Sequence, residues 1–210
     1  MTTSSVDPCV LCERAGRPLT REHVFAHWLV IKLRGGRLIP SDTGGSAGVG
    51  RRLGQVVTSV CAECNAGWMS SLEVSFRRAL FGRPRVGGLH EPDRVTLSRW
   101  FTKTAVLLAH AHGGAIVGAP HRAQLVSGMP DDIEVFLARR RRPPQPLDFR
   151  IEVAADDAAA VRSVSILVGD VVAHVARRGT LTSRHGTRLW PLRSHTLRWE
   201  TLPVIGSDRA

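Results

Sequence analysis

The sequence predicts an α+β fold. A small metal-stapled unit reaches to about residue 83, and a helix and a mostly antiparallel sheet follow over 84–210. Three observations carry that expectation. The pairs Cys9-Val10-Leu11-Cys12 and Cys61-Ala62-Glu63-Cys64 use every cysteine of the chain. A two-residue gap is the spacing that lets both sulfurs of a tight turn reach one ion. Trp68, Met69, Leu72, Phe76 and Leu80 form one apolar side of a helix that starts just after the second pair. Beyond the middle of the chain, short apolar or alternating runs separated by turn residues read as strands.

Taken in order, the residues before Cys9 are polar and loose. Gly16-Arg17-Pro18 closes the first cysteine turn, and 19–23 reads as a short strand. A more helical stretch follows over 24–33, with Phe25, Trp28, Leu29 and Leu33 on one face. Glycines and prolines without periodicity make 34–54 a long loop, and loops of that length are often functional. Residues 55–60 read as a strand. The helix after the second pair places Glu73, Arg77 and Arg78 off its apolar side and stops at Gly82-Arg83-Pro84. A helix capped by Thr96 is expected over 98–109, ended by Gly113-Gly114. Residues 133–137 read as a strand, and the arginines at 139–142 followed by Pro143-Pro144-Gln145-Pro146 as a stiff, exposed crossing. Strands are expected over 149–153, 164–168 and 171–175, with a tight turn at Gly169-Asp170, and further candidates lie at 188–192 and 196–202.

Lys plus Arg total 29 against 18 for Asp plus Glu, a formal balance of +11. Only Lys32 and Lys103 are lysines, so the excess is arginine. Four thiolates on one Zn²⁺ would lower the balance by about two units. A positive surface favours a polyanion such as nucleic acid; the arginine bias of a GC-rich genome explains the same composition. The polar start of the chain lacks an apolar run, and no stretch approaches the roughly 18 apolar residues of a membrane span. The expectation is a cytoplasmic protein with no membrane partner. In that compartment paired cysteines read as metal ligands, with two disulfides as the alternative.

The chemistry rests on Glu22, His23 and Asn65. Neighbours on a strand point in different directions, so Glu22 can hold a cation while His23 faces a reacting group. The neutral carbonyl oxygen of Asn65 can fill one coordination position of a hard divalent ion. A histidine can take a proton from water near neutral pH. An ion held by Glu22 and Asn65 would stabilise charge on a phosphoryl oxygen and on a leaving 3′ oxygen. Each residue has a plainer role: asparagine before a helix is most often a cap, glutamate there favours the helix dipole, and the histidine can cap or pack. His27 lies four residues after His23 and either supports the site or faces solvent. A zincin needs Glu immediately after its first histidine, and Val24 stands there. Trp28, Trp68 and Trp100 read as packing. Arg51 and Arg52 are the phosphate-contact candidates of the glycine-rich loop, and Gly44-Gly45 lacks the Lys-Ser/Thr ending of a Walker loop.

The order Cys-x-x-Cys, then Leu-Thr-Arg-Glu-His-Val-Phe, then Cys-x-x-Cys-Asn with a helix behind it resembles the zinc-stapled HNH endonucleases of the His-Me finger (ββα-metal) group. The strings Glu-His-Val-Phe-Ala-His-Trp-Leu, Cys-Asn-Ala-Gly-Trp-Met-Ser-Ser-Leu-Glu and Ser-Arg-Trp-Phe-Thr-Lys-Thr-Ala are similar to a bacterial HNH-like subgroup. The resemblance covers 9–81 and extends to the helix near Trp100. It implies a ββα-metal fold, a structural zinc on Cys9, Cys12, Cys61 and Cys64, and His23 as general base. It further implies Mg²⁺ or Mn²⁺ on Glu22 and Asn65, and DNA as substrate, with RNA as the other nucleic acid. Val56 stands where these enzymes carry a middle asparagine, with Gln55 beside it as a substitute brace, and the lysine they carry three or so residues after the last ligand is absent, with Trp68 nearby. The alternative class is therefore a zinc-stabilised nucleic-acid- or protein-binding module that does not cleave.

Overall fold

The computed structural model describes residues 7–33, 56–82, 86–141, 145–155, 157, 159–192 and 197–205. The expected long loop with Arg51 and Arg52, the first residue Gln55 of the expected strand after it, and the residues Arg142, Pro143 and Pro144 of the expected crossing lie outside the described residues.

Strands β1 (Leu19–His23) and β2 (Val56–Cys61) form an antiparallel pair. Leu19 faces Cys61 and His23 faces Val56, and the register slips between Thr20 and Glu22. A slip of this kind re-aims side chains on a strand, here just before Glu22. Helix α1 (His27–Leu33) begins later than the apolar spacing suggests. Val24 and Phe25 are fully buried instead, and Phe25 packs on Phe149 with ring centres 6.0 Å apart.

After β2 the chain makes a helical turn at Ala62–Cys64, a π-helical turn at Asn65–Met69 and then α2 (Ser70–Phe81). The expected continuous helix is broken at Gly67, whose ψ of −110° no helical residue adopts. Glycine lacks the Cβ that would resist this geometry.

The short strand β3 (Gly88–Leu89) leads into α3 (Glu91–Ala111). This helix starts well before Ser98, so Thr96 is not its cap. His90 is the extended N-cap, Pro92 lies in the first turn, and Glu91 and Asp93 face the positive end of the dipole there. From Trp100 to Ala109 every residue of α3 is buried. It packs against α2 and β2 on one side and the large sheet on the other. Trp100 stacks on Phe76 at 3.7 Å and 10°. Arg99 donates from Nε and Nη2 to the Leu125 carbonyl at 2.9 and 2.6 Å, fixing α4 (Ala119–Gln124), a short element without enough periodicity to be foreseen.

The sheet contains β4 (Ile133–Arg140), β5 (Leu147–Val153), β6 (Val161–Val168), β7 (Val171–Arg177), β8 (Thr187–Trp190) and β10 (Val204–Ile205). The order is β10-β4-β7-β6-β5, with β8 also on β4, and only β10 runs parallel to its neighbour. A separate pair joins β3 to β9 (Leu197–Arg198). The expected crossing at 139–142 is corrected in part: Arg139 and Arg140 continue β4. Arg139 lies opposite Val171 in the ladder, and its Nη2 donates to Asp170 at 2.9 Å. That carboxylate relieves the like-charge repulsion that argues against a strand. One buried apolar cluster runs from Cys9 to Leu202.

On the sheet face away from α3, Leu181 packs with Phe136 and Ala176, and its N–H donates to the buried Glu134. Beside them His174 is 5 % exposed. Its Nδ1 meets Ser165 Oγ at 2.8 Å, and its Nε2 has no partner among the described residues. Burial, and after it the neighbouring His185, holds His174 down to about 4 from 6.5. Between these values the unfolded chain binds the proton and the folded chain does not. Stability therefore falls as pH drops below about 6.5, and this loss levels off below about 4. Denaturant melts of His174→Gln should show roughly 2–3 kcal/mol less loss between pH 7 and pH 4 than the unaltered chain. An unchanged pH slope would contradict this assignment.

Candidate metal centre and the Glu22 cluster

The first cysteine turn is closed by Cys9 N–H to the Arg14 carbonyl at 3.1 Å and Glu13 N–H to the Cys9 carbonyl at 2.8 Å. Glu13 takes a φ of 59°, which such a tight return requires. Arg122 of α4 clamps the turn from outside: Nε donates to the Val10 carbonyl at 3.0 Å, and Nη2 to Glu13 at 2.6 Å. The second turn follows β2 directly. Val10 N–H donates to the Ser59 carbonyl at 2.8 Å and Ala62 N–H to the Pro18 carbonyl at 3.0 Å, so backbone bonds hold the two turns together.

The four sulfurs lie within 4.8 Å of one another. All four cysteines are free thiols. Cys12 and Cys61 Sγ are 3.8 Å apart. Zn–S bonds of about 2.3 Å make a tetrahedron with edges of about 3.8 Å, so this separation suits zinc. Cys9, Cys61 and Cys64 are buried. Burial pushes Cys64 far above the ordinary thiol range and raises Cys12. Burial opposes ionisation of Cys9 too, yet backbone hydrogen bonds involving Cys12, Cys61 and Leu11 outweigh it and hold that thiol low. The N–H of Cys61 points at Cys9 Sγ at 3.3 Å, and such donors orient and steady metal-bound thiolates. These residues could hold one structural zinc ion.

Cys64 carries Asn65 beside β1. Asn65 has helical φ and ψ, −63° and −57°, and is not the N-cap of the following turn, a position that Cys64 takes. Its Nδ2 donates to Thr20 Oγ1 at 3.0 Å, on the strand that carries Glu22. Asn65 is thus brought to the strand of Glu22. Burial raises Glu22 above the usual carboxylate range; the Lys103 ammonium opposes this, the Glu73 carboxylate adds to it, and the Asn65 amide opposes it. His23 ends β1 and is exposed, with no side-chain hydrogen bond among the described residues. His27 opens α1, also exposed.

Beside Glu22 lies a group that the sequence did not announce. Glu73, expected off the apolar side of its helix, turns inward. Its Oε1 accepts from Trp100 Nε1 and Lys103 Nζ, each at 2.7 Å, and its Oε2 from Trp28 Nε1 at 3.1 Å. The one available signal is Lys103 itself, a lone charge in the apolar run of α3.

No protein-family model matches the chain, and no curated protein or solved structure is significantly similar to it. Among the described residues, no helix is long and apolar enough to cross a membrane.

Cys61→Ser should lose its metal in elemental analysis and more than about 3 kcal/mol of stability, because binding at a four-thiolate site is folding free energy. A Cys61→Ser protein as stable as the unaltered chain, under equal zinc supply, would contradict a structural metal.

Proposed function

We propose that this chain is a divalent-metal-dependent endonuclease of the HNH type, hydrolysing phosphodiester bonds of DNA. Residues 1–83 form the nuclease unit in this reading, and 84–210 form a helix-plus-sheet extension. The observation that carries the reading is that Asn65, held beside the four-cysteine cluster, hydrogen-bonds Thr20 of the strand that carries Glu22 and His23, with His23 exposed. The antiparallel β1–β2 pair followed by α2 is compatible with a ββα-metal unit.

In this mechanism the Glu22 carboxylate and the Asn65 carbonyl would hold Mg²⁺ or Mn²⁺, which supplies charge stabilisation at the scissile phosphate when bound. A ring nitrogen of His23 accepts the proton of the attacking water, for which an exposed position at a strand end gives access. Arg51 and Arg52 contact backbone phosphates and set register without reading sequence. Gln55 would stand in for the usual bracing asparagine beside the histidine.

A second reading is a zinc-stabilised nucleic-acid- or protein-binding module that does not cleave. Two observations favour it: Val56 stands opposite His23 where an asparagine brace would be, and no described side chain hydrogen-bonds the His23 ring.

Incubation of the full chain with plasmid DNA and with RNA, in Mg²⁺ or Mn²⁺, separates the two. The expected result is cleavage that His23→Ala lowers at least about a hundredfold, with zinc content retained. Equal cutting by both proteins, or none by either alongside strongly salt-dependent DNA binding, would overturn the nuclease reading.

A further inference from the structure

The proposed reaction makes no use of one end of the large sheet, where positive charge gathers around an open cleft. Arg139 and Arg140 end β4, and Arg141 follows them. With Asp170 of the turn between β6 and β7 and Val204 of β10, they line a cleft of about 760 Å³. Backbone bonds fix its walls: Arg139 N–H donates to the Pro203 carbonyl and Arg140 N–H to the Asp170 carbonyl, each at 2.8 Å. Three guanidinium groups and one carboxylate give the lining a formal charge of +2.

The lining suits charge and little else. Asp170 is engaged by Arg139, whose Nε and Nη2 donate to its Oδ2 at 3.1 and 2.9 Å. The Arg139 side chain is still 43 % exposed in that pair, and Arg141 and Val204 are exposed. Among the described residues the lining offers no aromatic face on which a base could stack and no amide to read its edge. Guanidinium groups match the oxygens of a phosphate, and repeated along a strand end they match a ligand that repeats its phosphates. Like charges gathered this closely repel one another in the folded chain, and a polyanion relieves that repulsion.

We propose that this cleft is a docking surface for the sugar-phosphate backbone of nucleic acid, outside the residues assigned to cleavage. It gives the 84–210 extension a part in binding: its arginines neutralise phosphates and hold the strand without reading sequence. The proposal rests on the nucleic-acid reading above and not on cleavage, because a chain that binds without cutting uses the cleft in the same way.

Salt dependence counts such contacts, since each phosphate neutralised on duplex DNA adds about 0.9 to the slope of log K against log salt. Fluorescence anisotropy of the full chain with a labelled DNA duplex reads that slope, without added Mg²⁺ or Mn²⁺ so that nothing is cut. The double variant Arg140→Gln, Arg141→Gln should lose about 1–2 from the slope and bind roughly tenfold more weakly near physiological salt. Arg141→Gln alone should lose about half as much of the slope, and Arg141→Lys, which keeps the charge, should lose little. Arg141 is exposed, so its single variants decide the matter if the double variant fails to fold. Arg178→Gln removes the same charge after β7, whose last residue faces Ile133 at the opposite end of β4, and should leave the slope unchanged. A slope unmoved by the cleft variants, or lowered equally by Arg178→Gln, would overturn the proposal while leaving cleavage through His23 untouched. An unaltered chain that binds neither DNA nor RNA would sink the nucleic-acid reading, and this proposal with it.

Discussion

Four cysteine sulfurs lie within 4.8 Å of one another, three of them on buried residues, and as thiolates they need a cation to gather their charge. That constraint organises the N-terminal part of the molecule. It joins Cys12 to Cys61 across 49 positions of sequence, a closure whose entropic cost metal binding offsets. The backbone bonds from Val10 to Ser59 and from Ala62 to Pro18 run beside the sulfurs, so closure and the β1–β2 register are one event. Because Asn65 follows Cys64 directly, the same event delivers its amide to Thr20 on the strand that carries Glu22.

The second organiser is α3. Its buried length serves two partners, the apolar side of α2 and the inner sheet residues such as Val135, Val164 and Val175. Where it meets α2, the polar atoms of Glu73 and of the two indoles are satisfied, as a buried polar group requires. The sulfur cluster thus locates Asn65, and α3 supplies the charged neighbour of Glu22. Arg122 links the two organisers by holding the first cysteine turn to the segment after α3.

What is legible in the sequence follows from how local each signal is. The cysteine spacing is a property of single turns, and both turns form where it places them. The alternation along β5, β6 and β7 is local too. Phe149, Ile166 and Ala173 enter one core, and Val164 and Val168 join Ile166 there at the period of two that a strand imposes. The ends of elements are less local. Thr96 looks like a cap for α3, whereas Pro92 and the acids around it make the better first turn. The end of β4 depends on Asp170, which neutralises Arg139 from the turn between β6 and β7. The Glu73–Lys103 contact joins side chains of two helices, and no spacing rule within either helix reveals it. Asn65 reads equally well as an N-cap or as a ligand, and only its hydrogen bond across to β1, with Cys64 in the N-cap position, excludes the cap.

The claim on which all of this depends is that the four sulfurs share one metal ion. Zinc K-edge X-ray absorption on the full chain, purified without added metal, tests it most directly. The account predicts a single shell of four sulfur scatterers at about 2.3 Å. A shell containing nitrogen or oxygen, or a metal-free protein whose mass shows two disulfides, would contradict it.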